Sequence, residues 1–180
     1  PLFGSAACSA VLRALATAPS IHLLQDEHAR VVARALGAGD RLTTALAGGP
    51  TLATPFPAAG SNSLADQLKM VARMVNTAAE VGARRQVFFV SMGGFDTHSN
   101  QASVHPVQLA RLAGAMQAFH AATEELGVTD QVTTFTASDF GRTLTGTDGS
   151  DHDWGGTQLV LGGAVQGGRF YGTAPVIANN

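Results

Sequence analysis

Three short segments, far apart in the sequence, carry the side chains with which this protein could do chemistry. They contribute Asp96 and His98, then Asp139 and Arg142, then Asp151, His152 and Asp153. Carboxylate and imidazole groups together are the ligands of Zn²⁺, and with more oxygens they suit Mn²⁺, Ca²⁺ or Mg²⁺. A divalent ion held there would lower the pKa of a bound water or polarise a phosphoryl or sulfuryl oxygen. The residue types therefore predict a metal-assisted hydrolysis of esters.

Arg142 is the candidate catalytic residue among them. A guanidinium is always charged, and its forked N–H groups match an oxyanion that the metal leaves partly uncompensated. Each segment also has a purely structural interpretation. Asp96 can cap the helix that follows it, and Asp139 can form a structural ion pair with Arg142.

The hydrophobic pattern predicts the elements that must position these segments. Residues 87–92, VFFVSM, are predicted to be a buried strand, and residues 131–137, QVTTFTA, a second one. Between them, Val107–Leu126 has helical spacing, with Pro106 at the expected first helical position. Strand, helix and strand within ~50 residues is typical of a βαβ unit with parallel strands. Both polar turns should then emerge at one edge of the sheet, where open α/β sheets bind ligands.

The rest of the chain is predicted to be helical before these strands and rich in loops after them. The three predicted helices are Ser5–Thr17, Ile21–Leu46 and Ser63–Val81. The second helix is expected to be interrupted at Gly37 and Gly39, and Leu144–Ser150 is predicted to be a loop. We therefore expect a single α/β domain, with amino-terminal helices and a loop over 1–62 and the α/β core over 63–180.

Composition excludes several classes of protein. With 180 residues, the chain is long enough for one domain with a hydrophobic core. A net charge of −2, an isoelectric point near 6.3 and the lack of a basic stripe predict no nucleic-acid partner. No apolar run reaches the ~18 residues of a membrane span. The single cysteine, Cys8, cannot form an intrachain disulfide.

The polar segments also resemble a known family. The strings GGFDTHSNQ, VTTFTASDFGRT, DHDWGG and GGRFYGT, in this order and spacing, closely resemble the bacterial family DUF1501, from roughly Ser63 to Pro175. That family is grouped with the alkaline phosphatase-like superfamily, which includes sulfatases, phosphatases and cofactor-independent phosphoglycerate mutases. The resemblance implies a three-layer sandwich with a mainly parallel sheet flanked by helices, incomplete at both ends. It also implies a periplasmic or exported protein, because members often carry a twin-arginine signal.

The same resemblance implies roles for individual residues. Asp96 and His98 correspond to one metal-binding pair, Asp139 to a ligand of a second metal, and His152 to a late histidine ligand. The superfamily's usual histidine after the second strand is replaced here by Phe140. The implied function is hydrolysis of phosphate or sulfate esters of small molecules or polymers, with Zn, Mn, Ca or Mg as cofactor. The alternative is an exported, non-catalytic binding or assembly protein on the same scaffold.

The superfamily's nucleophile strand has no counterpart between Pro1 and Gly82. By resemblance, these residues are the carboxyl-proximal part of a larger protein. We therefore expect the 180 residues alone to be catalytically incomplete. We also expect the rest of the parent chain, or a partner subunit, to cover the exposed edge of the sheet.

Overall fold

The structure, a computed structural model, describes residues 4–49 and 51–173. Within them the chain forms two compact units, the first from the residues before 50 together with Met74–Gln86, and the second from Thr51–Arg73 and the residues from Val87 onward. Mixed helical and strand structure is confirmed, because the described residues contain four α-helices and four short strands. The division of a single domain at residue 62 stays a prediction.

The first unit contains the helices α1, Ala6–Ala16, and α2, Leu23–Gly48. The prediction of α1 is confirmed, and the Ser5 hydroxyl caps it by accepting the Cys8 N–H at 3.2 Å. The predicted interruption of α2 is wrong, because the helix passes through both of its central glycines. Each such glycine costs a helix only about 1 kcal/mol relative to alanine, which the helix-forming residues on either side offset.

The second unit contains α4, Gln101–Glu125, and all of α3, Ser63–Asn76, except its last three residues. Its buried apolar side chains are Leu64, Ala65, Leu68, Val71 and Ala72 of α3, and Ala115, Met116, Ala118, Phe119 and Ala122 of α4. These positions follow helical spacing, so each helix buries one face. Among the described residues, none of the four helices has both the length and the apolar character of a membrane span.

The start of α4 differs from the prediction. Pro106 was expected at the first helical position, which is wrong, because the helix begins at Gln101 and encloses the proline. Asn100 takes the left-handed conformation, with φ 53°, and the Gln101 N–H donates to the Asp148 carbonyl at 2.9 Å. A contact with a distant loop therefore fixes where this helix begins.

The four strands form two antiparallel pairs. Strand β1, Thr134–Phe135, pairs with β4, Val160–Leu161, while β2, Gly141–Gly146, pairs with β3, Ser150–Asp153. A short 3₁₀ turn, Thr129–Gln131, precedes β1. The loop predicted over residues 144–150 is therefore wrong in part, because its ends belong to the β2–β3 hairpin.

The buried strand predicted over residues 87–92 is wrong, because no strand is formed there and the side chains alternate in exposure. Val87 and Phe89 are 93% and 92% exposed, whereas Phe88 and Val90 are half-buried. In the part of the chain that the structure describes, this segment has no strand partner. The parallel sheet and the three-layer sandwich therefore stay predictions.

Candidate metal centre

Three predicted ligands lie together in the second unit. The Nε2 atoms of His98 and His152 each lie 2.8 Å from Oδ1 of Asp96, and one donor atom from each of the three residues falls within 4.8 Å of the others. We call these three residues the Asp96 cluster. The side chains are 57%, 53% and 50% exposed for Asp96, His98 and His152, so one side of the cluster is open to solvent.

The turn of the β2–β3 hairpin brings the distant residues of the cluster together. The Ser150 N–H donates to the Thr97 carbonyl at 3.2 Å, which places β3 beside the segment that carries Asp96. Gly149 lies in the same contact, and a β-carbon added there would be 2.2 Å from the carbonyl carbon of His98. Only glycine allows this close approach of two backbone segments.

Aromatic stacking fixes the orientation of His152. The Phe140 ring lies 4.0 Å from the imidazole, centroid to centroid, at an interplanar angle of 12°. The His98 ring lies 5.3 Å from it at 28°. Because a stacked ring cannot rotate freely, the Nε2 atom of His152 is held toward Asp96.

Arg142 also contacts the cluster. It is the residue directly opposite His152 in the β2–β3 ladder, so the two side chains leave the hairpin on the same face. Its guanidinium donates to Asp96 Oδ1 at 3.2 Å and to the backbone carbonyls of Phe95 and Ser150. Its side chain is only 17% exposed.

These contacts shift the ionisation of Asp96. The hydrogen bond from His152 is the main cause that lowers the pKa of this carboxyl, and the charges of His98, His152 and Arg142 act in the same direction, while desolvation opposes them. Asp96 is therefore held as a carboxylate, which is the form that a metal ion binds.

A family model described as a protein of unknown function, DUF1501, matches residues 32–180. The chain belongs to the DUF1501 family. No curated protein matches the chain, and neither does any solved structure. The matched region contains the whole Asp96 cluster; its last residues, 174–180, and with them the end of the resemblance at Pro175, lie outside the described part of the chain.

The cluster of this DUF1501 protein has the donor set of a metal site. Two ligands that each bind one tetrahedral ion at about 2.0–2.2 Å are roughly 3.4 Å apart, so the 2.8 Å contacts between nitrogen and oxygen would have to lengthen by only about half an ångström. Three protein ligands leave coordination positions open for water or substrate, as in catalytic rather than structural sites. The Asp96 cluster therefore fits a divalent ion.

Not every predicted site residue joins the cluster. Asp139 lies exposed in the turn before β2 and is absent from the group of candidate ligands found among the described residues. The structure thus brings together Asp96, His98 and His152, with Arg142 against them. The roles of all five residues as metal ligands or catalytic group stay predictions.

Asp151 was among the candidate residues, but its place beside His98 was not foreseen, and sequence reasoning missed the contributions of Phe140 and Gly149 to the site. Asp151 has a carboxylate oxygen 3.6 Å from Nδ1 of His98, Phe140 stacks on His152, and Gly149 admits the hairpin turn. The Asp-Gly pair at 148–149 was a usable signal, because this dipeptide is common in hairpin turns. The flanking residues are mostly polar and lack the alternation that would have marked them as strands.

Proposed function

We propose that this DUF1501 protein is a metal-dependent hydrolase of phosphate or sulfate esters, in which Asp96, His98 and His152 hold the metal. The proposal depends on one observation: two imidazole Nε2 atoms lie 2.8 Å from the same carboxylate oxygen, on a face open to solvent. When bound, a divalent ion would polarise a phosphoryl or sulfuryl oxygen or lower the pKa of a water.

The residues of the chain prepare the centre for a cation. Three nitrogen atoms crowd Asp96 Oδ1, from His98, His152 and Arg142. An Nε2 atom that becomes a metal ligand gives up any proton it carries, so metal–ligand bonds would replace the two imidazole contacts with Asp96. The carboxylate of Asp151 beside Nδ1 of His98 is placed to orient that imidazole, as outer carboxylates do in zinc sites.

The ligand types of the cluster also indicate which metals it should bind most tightly. Imidazole nitrogen suits zinc better than it suits Mg²⁺ or Ca²⁺, which prefer sites made entirely of oxygen. We therefore propose Zn²⁺ first and Mn²⁺ second. The family resemblance supports the finer parts of the proposal, namely a mainly parallel sheet of the alkaline phosphatase-like kind and a periplasmic or exported location.

Metal binding measured by isothermal titration with Zn²⁺ and with Mn²⁺ tests the proposal. The unmodified protein should bind one ion, and Asp96→Ala or His98→Ala should weaken binding by at least about 100-fold, more than the loss of an outer-shell group. Asp40→Ala is the matched control, since it removes a similarly exposed carboxylate, 60% exposed, from the first unit. Absence of binding at micromolar metal, or unchanged binding by Asp96→Ala, would refute the metal centre.

Catalysis is tested on the full-length protein with aryl phosphate and aryl sulfate. We expect turnover that requires the metal and is lost in Asp96→Ala. The alternative, a non-catalytic binding or assembly protein, is favoured by one observation: Asp139 stands apart from the cluster and Phe140 occupies the position beside it. That alternative predicts metal binding without turnover of either ester.

A further inference from the structure

Most N–H groups of the Arg142 guanidinium are either hydrogen-bonded within the protein or buried. One terminal nitrogen, Nη2, donates to the Phe95 carbonyl and to Asp96 Oδ1, and the other, Nη1, donates to the Ser150 carbonyl. The remaining nitrogen, Nε, is buried and has no hydrogen-bond partner in the described residues. Of five N–H groups, three are used and one is inaccessible.

This count bears on how Arg142 can act. An arginine grips an oxyanion with two parallel N–H groups, taken either from its two terminal nitrogens or from Nε and one terminal nitrogen. Both of these pairs include Nη2, which lies on the same side as the Nε–H and whose two N–H groups already bind Phe95 and Asp96. A two-point grip on an ester oxyanion would therefore require Arg142 to release part of the site.

We propose that Arg142 is a positioning residue of the metal centre and does not hold the oxyanion of the ester. The inference rests on the proposed function, because it assigns the role of Arg142 at that same site. Its guanidinium joins the segment that carries Asp96 to strand β3, which carries His152. It thereby holds two ligands from distant parts of the sequence at a fixed separation.

Two further contacts support this role. The guanidinium carbon lies 5.0 Å from the centroid of the Phe140 ring, and the same ring stacks on His152. One aromatic side chain therefore contacts both the positioning group and the ligand that it positions. Arginine suits the task, because its planar fork reaches separate acceptors at once, whereas a lysine ammonium is a single point of charge.

Two variants, Arg142→Gln and Arg142→Lys, test the proposal with two measurements on the purified protein. The first measurement is Zn²⁺ affinity by isothermal titration, and the second is the NMR contact between the rings of His98 and His152 without metal. Loss of an outer-shell partner lowers metal affinity by about 10–100-fold, so we expect a loss of that size in both variants. We also expect the ring-to-ring contact to weaken. Arg13→Gln, which removes an arginine paired with a single aspartate, should change neither.

The outcomes separate this inference from the proposed function. In the full-length protein, saturating Zn²⁺ should restore kcat in Arg142→Lys and leave KM for the aryl ester unchanged. Unchanged Zn²⁺ affinity together with a raised KM or a lowered kcat would show an oxyanion-binding arginine and overturn the proposal. If the unmodified protein binds no metal, the proposed function fails, and the ring contact alone decides: its loss supports positioning and its persistence overturns it. Should Arg142→Gln fail to fold, Arg142→Lys, which keeps the charge and the stem, carries the same test.

Discussion

Two arginine–aspartate contacts in this molecule look alike but have different structural roles. In the first unit, Arg13 of α1 and Asp40 of α2 form a two-point ion pair at 2.7 and 3.0 Å, with both side chains about half exposed. In the second unit, Arg142 is mostly buried and divides its donors between Asp96 and two backbone carbonyls. The first pair joins two elements that are already complete, whereas the second helps to build the site.

The difference follows from where the backbone finds its partners. A helix satisfies its interior N–H and C=O groups within itself. The backbone hydrogen bonds of α1 and α2 therefore form without help from the ion pair between them. The site region is made of turns and extended segments whose backbone groups have few such partners. Side chains take over that pairing: Arg142 for carbonyls of two segments, Gln67 for both the N–H and the C=O of Ser91, and Glu125 for the N–H groups of Ala53 and Thr54.

The strongest test of this contrast is a methyl group added to each region. In Gly149→Ala the new carbon would lie 2.2–2.5 Å from backbone atoms of Thr97 and His98, closer than non-bonded atoms allow. The hairpin turn must then move away from the segment that carries Asp96. We expect the free energy of unfolding to fall by about 1–3 kcal/mol, as for overpacked sites, and Zn²⁺ affinity to fall with it. Chemical denaturation and isothermal titration measure the two effects.

The matched control is Gly39→Ala in α2, where a β-carbon would meet no atom within 4 Å. Alanine favours a helix interior over glycine by about 1 kcal/mol, so this variant should be as stable as the parent or more so. Equal effects of the two substitutions would show that the hairpin contact does not govern the site.

The same contrast explains what the sequence could predict. The sequence predicts helix α1 within one residue at each end, because its signals are neighbours in the chain. The start of α4 was not, because a contact between Gln101 and the distant Asp148 carbonyl decides it. Pro106 is the sixth residue of that helix, where it has no N–H to donate to the carbonyl of Ala102.

The candidate site shows the same limit. Residue types and the family resemblance predicted Asp96, His98 and His152, because the side-chain types alone indicate metal-ligand chemistry. The fold brings these three residues together. Residue types and the resemblance could not separate these from Asp139, which falls in the turn before β2, because a hairpin of polar residues leaves little periodic signal. Residue types also could not show that the Arg142 guanidinium donates to two backbone carbonyls.

A smaller effect is expected at Glu125, the carboxylate that tethers the loop before α3. The Thr54 hydroxyl, and then the N–H groups of Ala53 and Thr54, lower the pKa of this carboxyl, and desolvation opposes them. A lowered pKa means that its stabilising effect is complete above the unfolded value of about 4.3 and is lost as pH falls through the lower folded value. Glu125→Gln should therefore have a lower melting temperature than the parent at pH 7, and the difference should vanish in acid.

Thermal unfolding of both proteins between pH 7 and pH 3 measures this difference. Glu124→Gln is the control, because Oε1 of that neighbouring carboxylate lies 3.8 Å from Nε2 of His120 and accepts from no backbone N–H group of residues 4–49 and 51–173. A pH-independent gap between Glu125→Gln and the parent would mean that the lost contacts owe nothing to the charge of Glu125.

The smallest effect is expected at the ion pair of the first unit. The pKa of Asp40 is lowered chiefly by its hydrogen bond from Arg13, yet both side chains are open to solvent, and exposed pairs contribute little because water and salt screen them. A double-mutant cycle of Arg13→Gln and Asp40→Asn, measured on the free energy of unfolding, should give a small coupling free energy. This coupling should disappear in 1 M NaCl, where the screening length is about 3 Å. The corresponding cycle of Arg142→Gln and Asp96→Asn should keep more of its coupling free energy in salt, because the Arg142 side chain is only 17% exposed and salt screens a partly buried pair less. Equal salt sensitivity of the two cycles would remove the distinction between an ion pair that joins finished helices and one that organises a site.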